Sequence, residues 1–140
     1  MRLTSKAEYA LRAMVFLAEN QEKERPHARQ IAERQTIPYK FLAQIMRDLR
    51  QAGIVKSVRG PQGGVRLARA ADEINLLEIV EAVEGPLNIY TCVVGEGICE
   101  MQVTCPICEV LGETQEKIEE VFGGTNLAQM VASKAAKTGR

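Results

Sequence analysis

Four cysteines, the only ones in this 140-residue chain, fall at the spacing Cys92-x6-Cys99-x5-Cys105-x2-Cys108. Thiols this close together either ligate a soft metal or undergo redox chemistry. Tetrahedral structural zinc usually takes two close-spaced pairs, and this stretch holds one, the CPIC of Cys105 and Cys108. Three loosely spaced thiolates on a glycine-containing segment suit a many-atom iron–sulfur cage somewhat better, though spacing alone leaves zinc open. CPIC also resembles a thiol oxidoreductase motif. That chemistry needs a strand-to-helix βαβ setting, which the surrounding sequence lacks, so an enzyme is the weakest of the three readings.

A chain of this length buries an ordinary core without disulfide staples, so the thiols are not needed to hold the fold. The N-terminal MRLTSKAEYALRAM is charged and amphipathic, with no apolar leader, and nothing approaches the roughly 20 apolar residues of a membrane span. The expected setting is therefore cytoplasmic, with no membrane partner and reduced thiols. Charge is divided along the chain: residues 1–70 carry 14 Lys and Arg against 6 Asp and Glu, and residues 71–140 carry 4 against 12. A basic first half suits a polyanion such as DNA.

The elements that must position these groups are mainly helical. Thr4 or Ser5 caps a first helix whose face includes Tyr9, Ala13, Phe16 and Leu17, and Ser5-x-x-Glu8 has the form of a capping box. ARQIAERQ and PYKFLAQIMRDLRQ read as two helices joined at Thr36-Ile37, with Pro38 opening the second, Gly53 closing it, and Phe41, Ile45 and Leu49 as its buried stripe. IVKSV and VRLAR are short strands around RGPQGG, a hairpin tip. Helix-turn-helix followed by a basic hairpin is the order of a winged helix. Asn75 and Glu78 form a capping box for LLEIVEAVE, which Gly85-Pro86 ends. Pro106 opens a long helix with Ile107, Leu111, Ile118, Val121 and Phe122 spaced for pairing, most simply with the same helix of a second copy.

A helix lying in the major groove must offer side chains that reach base edges. Tyr39, Lys40 and Gln44 have that chemistry, Arg47 and Arg50 suit phosphates, and Arg59 at the hairpin tip suits a minor groove. His27, the only histidine, falls in a polar stretch and receives no role.

MRLTSKAEYALRAM, IAERQTIPYKFLAQIMRDLRQAGIVKSVRGPQGGVRLAR and the cysteine stretch together resemble the regulator family that includes the iron–sulfur-assembly regulator IscR, the nitric-oxide sensor NsrR, the iron regulator RirA and the cysteine-metabolism repressor CymR. The resemblance covers nearly the whole chain. It implies a homodimeric winged-helix transcription regulator that binds palindromic operator DNA, with Lys40, Gln44 and Arg59 at DNA-contacting positions. By the same likeness Cys92, Cys99 and Cys105 match three ligands of an iron–sulfur cluster, [2Fe–2S] or [4Fe–4S]. The fourth is Cys108, where the iron–sulfur-assembly regulator has a histidine, or else Glu8, since some members use an acidic residue there from the other subunit. Ala43 replaces a glutamate that in that regulator helps discriminate operators, so operator class does not carry over. The implied organisation is a winged helix-turn-helix domain over 1–85, a cysteine loop over 86–105, a dimerisation helix and short terminal helix over 106–132, and a mobile tail over 133–140. A metal-free or zinc-binding repressor with a thiol–disulfide switch is the alternative.

Overall fold

The computed structural model describes residues 2–93, 95 and 97–139. It is mainly α-helical, with six α-helices and one two-stranded antiparallel hairpin among the described residues. The first helix, α1 (Ser5–Asn20), buries Ala7, Ala10, Ala13, Met14 and Leu17. Three alanines on that face let other helices approach closely, and α1 packs against the helices α2, α3, α4 and α6 defined below. Its cap is one of the two expected residues, and the expected Ser5-x-x-Glu8 box does not form. Thr4, not Ser5, is the N-cap and accepts from the Ala7 N–H at 3.2 Å, so Glu8 lies outside any capping box.

Helices α2 (Ala28–Gln35) and α3 (Tyr39–Gln51) form the helix-turn-helix. Thr36 turns the chain in the left-handed region at φ 54°, and the Ile37 N–H closes the turn on Ala32 O at 2.8 Å. The buried stripe of α3 is Leu42, Ile45, Met46 and Leu49. Phe41 was expected inside, but it is 51% exposed and meets Tyr9 edge to face, with ring centroids 6.1 Å apart. One residue step on a helix is about 100°, enough to move a side chain from core to rim.

The wing is β1 (Val55–Val58) and β2 (Gly64–Leu67), paired from Val55↔Leu67 to Val58↔Gly64. It is fastened to the segment before α2, where the Val65 N–H donates to Pro26 O at 2.8 Å. Gly64 makes that approach possible: its φ is +153°, and a Cβ would lie 2.1 Å from Arg25 O. Gly64→Ala is therefore expected to cost at least about 2 kcal/mol. Gly60→Ala, at φ +102° in open space, should cost only about 1 kcal/mol of backbone strain. Urea unfolding midpoints of the two variants check this, and equal midpoints would refute the close approach.

Helix α4 (Leu76–Glu84) begins with the expected capping box: Glu78 N–H donates to Asn75 Oδ1 at 2.9 Å, and Asn75 N–H to Glu78 Oε2 at 3.4 Å. Helix α5 (Pro106–Gly123) starts at Pro106 and packs on α4. Its apolar residues divide between two faces. Leu111, Ile118 and Phe122 are half-buried toward the rest of the chain, while Ile107, Val110 and Val121 are 61–66% exposed.

Helix α6 (Leu127–Thr138) replaces the expected short helix and mobile tail. Asn126 and Gln129 form its capping box, the ASKAAKT segment is rich in good helix formers, and Gly139 ends it in the left-handed region. It returns to α1, buries Leu127 completely, and pairs Lys134 with Glu19 at 2.9 Å. Short backbone bonds, Leu76 N–H to Thr125 O at 2.9 Å and Leu127 N–H to Ile74 O at 3.0 Å, join the starts of α4 and α6. The last helix is thus part of the N-terminal core.

Candidate functional site

Because α3 buries Leu42, Ile45, Met46 and Leu49, its opposite side presents Tyr39, Lys40, Gln44, Arg47 and Arg50 to solvent. These are the sequence-derived residues for a major groove, and Arg59 stands exposed at the wing tip. Their side chains are organised. Arg29 of α2 lies over the Tyr39 ring, 4.2 Å from its centroid, and Arg50 Nη1 donates to Ser57 Oγ of β1 at 3.0 Å, linking helix to wing. Gln44 Nε2 donates to Asp48 Oδ1 at 2.9 Å, and Arg47 Nη1 donates to Gln44 Oε1 at 2.9 Å. The sequence reading does not single out Arg29, Asp48 or Ser57. Only Asp48 carries a local signal, its position four residues after Gln44.

The thiols follow α4 in the chain. After α4 the chain runs through a 3-10 turn at Thr91–Val93, where Cys92 is buried, and reaches Cys105, the N-cap of α5. Two side-chain amides hold this segment. Buried Gln115 of α5 accepts from the Ile89 N–H at 2.9 Å and donates to Leu87 O. Gln102 donates to the Cys92 and Gly95 carbonyls, each at 2.9 Å, and accepts from the Gly97 N–H at 2.9 Å. Its amide closes the cysteine loop on itself, which cysteine spacing does not disclose.

Cys108, in the first turn of α5, approaches Cys92, with its Sγ 3.7 Å from Cys92 O. Two open clefts of about 400 Å³ meet here, one lined by Cys92 and Cys108 and the other by Cys105 and Cys108, with Gln102 in both. All four cysteines are free thiols, Cys92 buried and Cys99 exposed. The Cys108 thiol is held above its ordinary range, first by its hydrogen bond with the Cys92 side chain, then by desolvation, then by the nearby charges of Cys92, Cys105 and Cys99. A helix N-terminus alone would lower it. Here the Cys92 side chain, burial and the other nearby thiols act on Cys108 in the opposite direction.

Among the described residues no three Cys, His, Asp or Glu side chains form a group able to hold a metal ion. A single zinc would require sulfurs about 3.7 Å apart, as tetrahedral bonds of about 2.3 Å dictate. The donor chemistry is that of a thiophilic group, since four soft sulfur donors stand in this segment and Cys92, Cys99 and Cys105 each act electrostatically on Cys108. Glu8 stands exposed on α1, 3.7 Å from Arg12, and lines neither cleft in its own chain.

The model of the Rrf2 family, described as an iron-dependent transcriptional regulator, matches residues 3–133. The chain belongs to the Rrf2 family. It is 32% identical over 135 residues to the transcriptional regulator NsrR of Bacillus subtilis, covering 96% of this chain and 92% of that protein. Among solved structures it resembles CymR, the global cysteine regulator of B. subtilis, with a TM-score of 0.80, 27% identity and coverage of 95% and 98% of the two chains. IscR of T. potens matches with a TM-score of 0.78, 31% identity and coverage of 96% and 88%. This Rrf2 protein is a winged-helix transcription regulator, and its relatives are regulators rather than enzymes. No helix among the described residues is long and apolar enough to cross a membrane.

Proposed function

We propose that this Rrf2 protein is a homodimeric regulator whose grip on a palindromic operator depends on an iron–sulfur cluster held by Cys92, Cys99, Cys105 and Cys108. The observation that carries the reading is the meeting of Cys108 with Cys92 at the root of α5. One thiol belongs to the loop and the other to the helix with the exposed apolar face, so a ligand group they share would tie the loop to the dimer contact. Bound there, the cluster supplies iron–sulfide bonds that oxidants, nitric oxide or iron shortage can break. The chain's own residues do the rest. Gln102 and Gln115 hold the loop, Tyr39, Lys40 and Gln44 face bases, and Arg47, Arg50 and Arg59 engage the phosphate backbone and minor groove. A change in the loop-to-α5 junction would alter the angle between the two recognition helices and so the half-site spacing.

The contact between Cys92 and Cys108 also favours a second reading, a metal-free regulator in which these two thiols form a disulfide under oxidant. One experiment separates them. Protein purified anaerobically is assayed for visible absorption, iron, sulfide and zinc, and titrated against palindromic duplexes selected from a random pool before and after exposure to air. Bleaching of a brown protein with a change in operator affinity is expected. A colourless, iron-free protein that loses two thiols in air and changes affinity would replace the cluster with the disulfide, and stoichiometric zinc would replace both.

A further inference from the structure

Asp48 is an anomaly on the face that meets DNA. A carboxylate there is repelled by phosphates, so its presence calls for a compensating role. Its side chain is only 17% exposed, and each of its oxygens is engaged. Oδ2 pairs with Lys6 Nζ of α1 at 2.6 Å, while Oδ1 accepts from Gln44 Nε2 at 2.9 Å. On the other side of the same amide, Oε1 of Gln44 accepts from Arg47 at 2.9 Å.

A glutamine reads adenine with one amide hydrogen and one oxygen lone pair, presented together. The amide has two hydrogens and two lone pairs, and Asp48 and Arg47 each occupy one. One donor and one acceptor are left over, and the pair cannot flip without placing oxygen against carboxylate. Lys6 holds the carboxylate that sets this orientation, which ties it to α1 and not merely to the surface of α3.

We infer that Asp48 is a specificity-determining positioning residue: anchored by Lys6, it locks the Gln44 amide in one orientation for base reading. The inference rests on α3 being the recognition helix. The test uses two duplexes, a palindrome selected from a random pool by the wild-type protein and a scrambled duplex of the same composition. Asp48→Ala should lower the ratio of affinities for the two about tenfold, the worth of part of a bidentate base contact. Affinity for the scrambled duplex should rise, because a repulsive charge has gone. Asp48→Asn keeps an oxygen for the Gln44 amide and should hold the ratio within about threefold of wild type. In a Gln44→Ala background, Asp48→Ala should change the ratio no further.

Equal loss on both duplexes would show a merely structural role and overturn the inference. So would an unchanged ratio in Asp48→Ala when Gln44→Ala alone reduces it. If Gln44→Ala itself leaves the ratio intact, base reading by Gln44 fails and the inference falls with it. A second measurement needs no variant: in the wild-type protein, NMR relaxation should find the Gln44 side-chain amide more ordered than that of Gln62 at the wing tip. Equal mobility would also overturn the proposal.

Discussion

Alanine at Cys92 is expected to leave the protein colourless, with iron and sulfide reduced at least tenfold per chain when it is purified without oxygen. A thiolate ligand cannot be replaced by a methyl group, and a cluster that loses one protein ligand opens to solvent and exchange. Alanine at Cys99, Cys105 or Cys108 should do the same, whereas Glu8→Ala should keep colour and iron. Retained iron in Cys108→Ala together with loss in Glu8→Ala would transfer the fourth position to the carboxylate. The fold should survive in each case, because none of the cysteines belongs to the main core cluster built from α1, α2, α3, the wing, α4 and Leu127. Circular dichroism at the assay temperature checks that point. With the fold intact, the change in operator affinity on losing the cluster should fall within about 5- to 150-fold, the usual range of coupling between two sites.

Val110→Asp combined with Val121→Asp is expected to separate the proposed dimer. Both side chains lie on the exposed face of α5, at 61% and 62% exposure, and neither lines the clefts beside the thiols. Burying two new carboxylates in an apolar helix pair is far costlier than leaving them in water, so the monomer wins. A monomer grips one half-site only and forfeits the second, intramolecular binding event, which is worth about a hundredfold or more in affinity for the full palindrome. Its affinity for a single half-site duplex should be unchanged. Sedimentation equilibrium and titration with the two duplexes report both effects. A variant that remains dimeric, with full palindrome affinity, would remove α5 as the pairing helix.

Much of the scaffold was legible because its signals are local. The Asn75–Glu78 box, the left-handed Thr36 turn before Pro38, the wing around RGPQGG and the Pro106 start all lie within a few residues of what they control. Where the reading went astray, a distant partner or a single residue step decided the outcome. The Ser5-x-x-Glu8 box gives way to Thr4, the other expected cap, whose own N–H also donates to Glu84 at 3.2 Å, eighty residues away. Phe41 yields its core place to Leu42 and Met46, since periodicity marks a face only to within one position. The polar, alanine-rich end looked like a tail because its burial depends on docking to α1, not on its own composition.

The functional groups divide in the same way. By itself the sequence determined that four thiols stand in one segment, that a basic helix-turn-helix and wing precede them, and which side chains on α3 could reach a base. Tertiary structure alone decided that Cys108 meets Cys92, that Gln102 and Gln115 close the loop, that α5 turns one apolar face inward and another out, and that Lys6 reaches Asp48. Backbone propensity and capping act over one to four residues, and so are written in the local sequence. Contacts spanning 10, 16, 26 and 42 residues form only when the core brings their helices and loops together, and it is these contacts that orient both the thiols and the Gln44 amide.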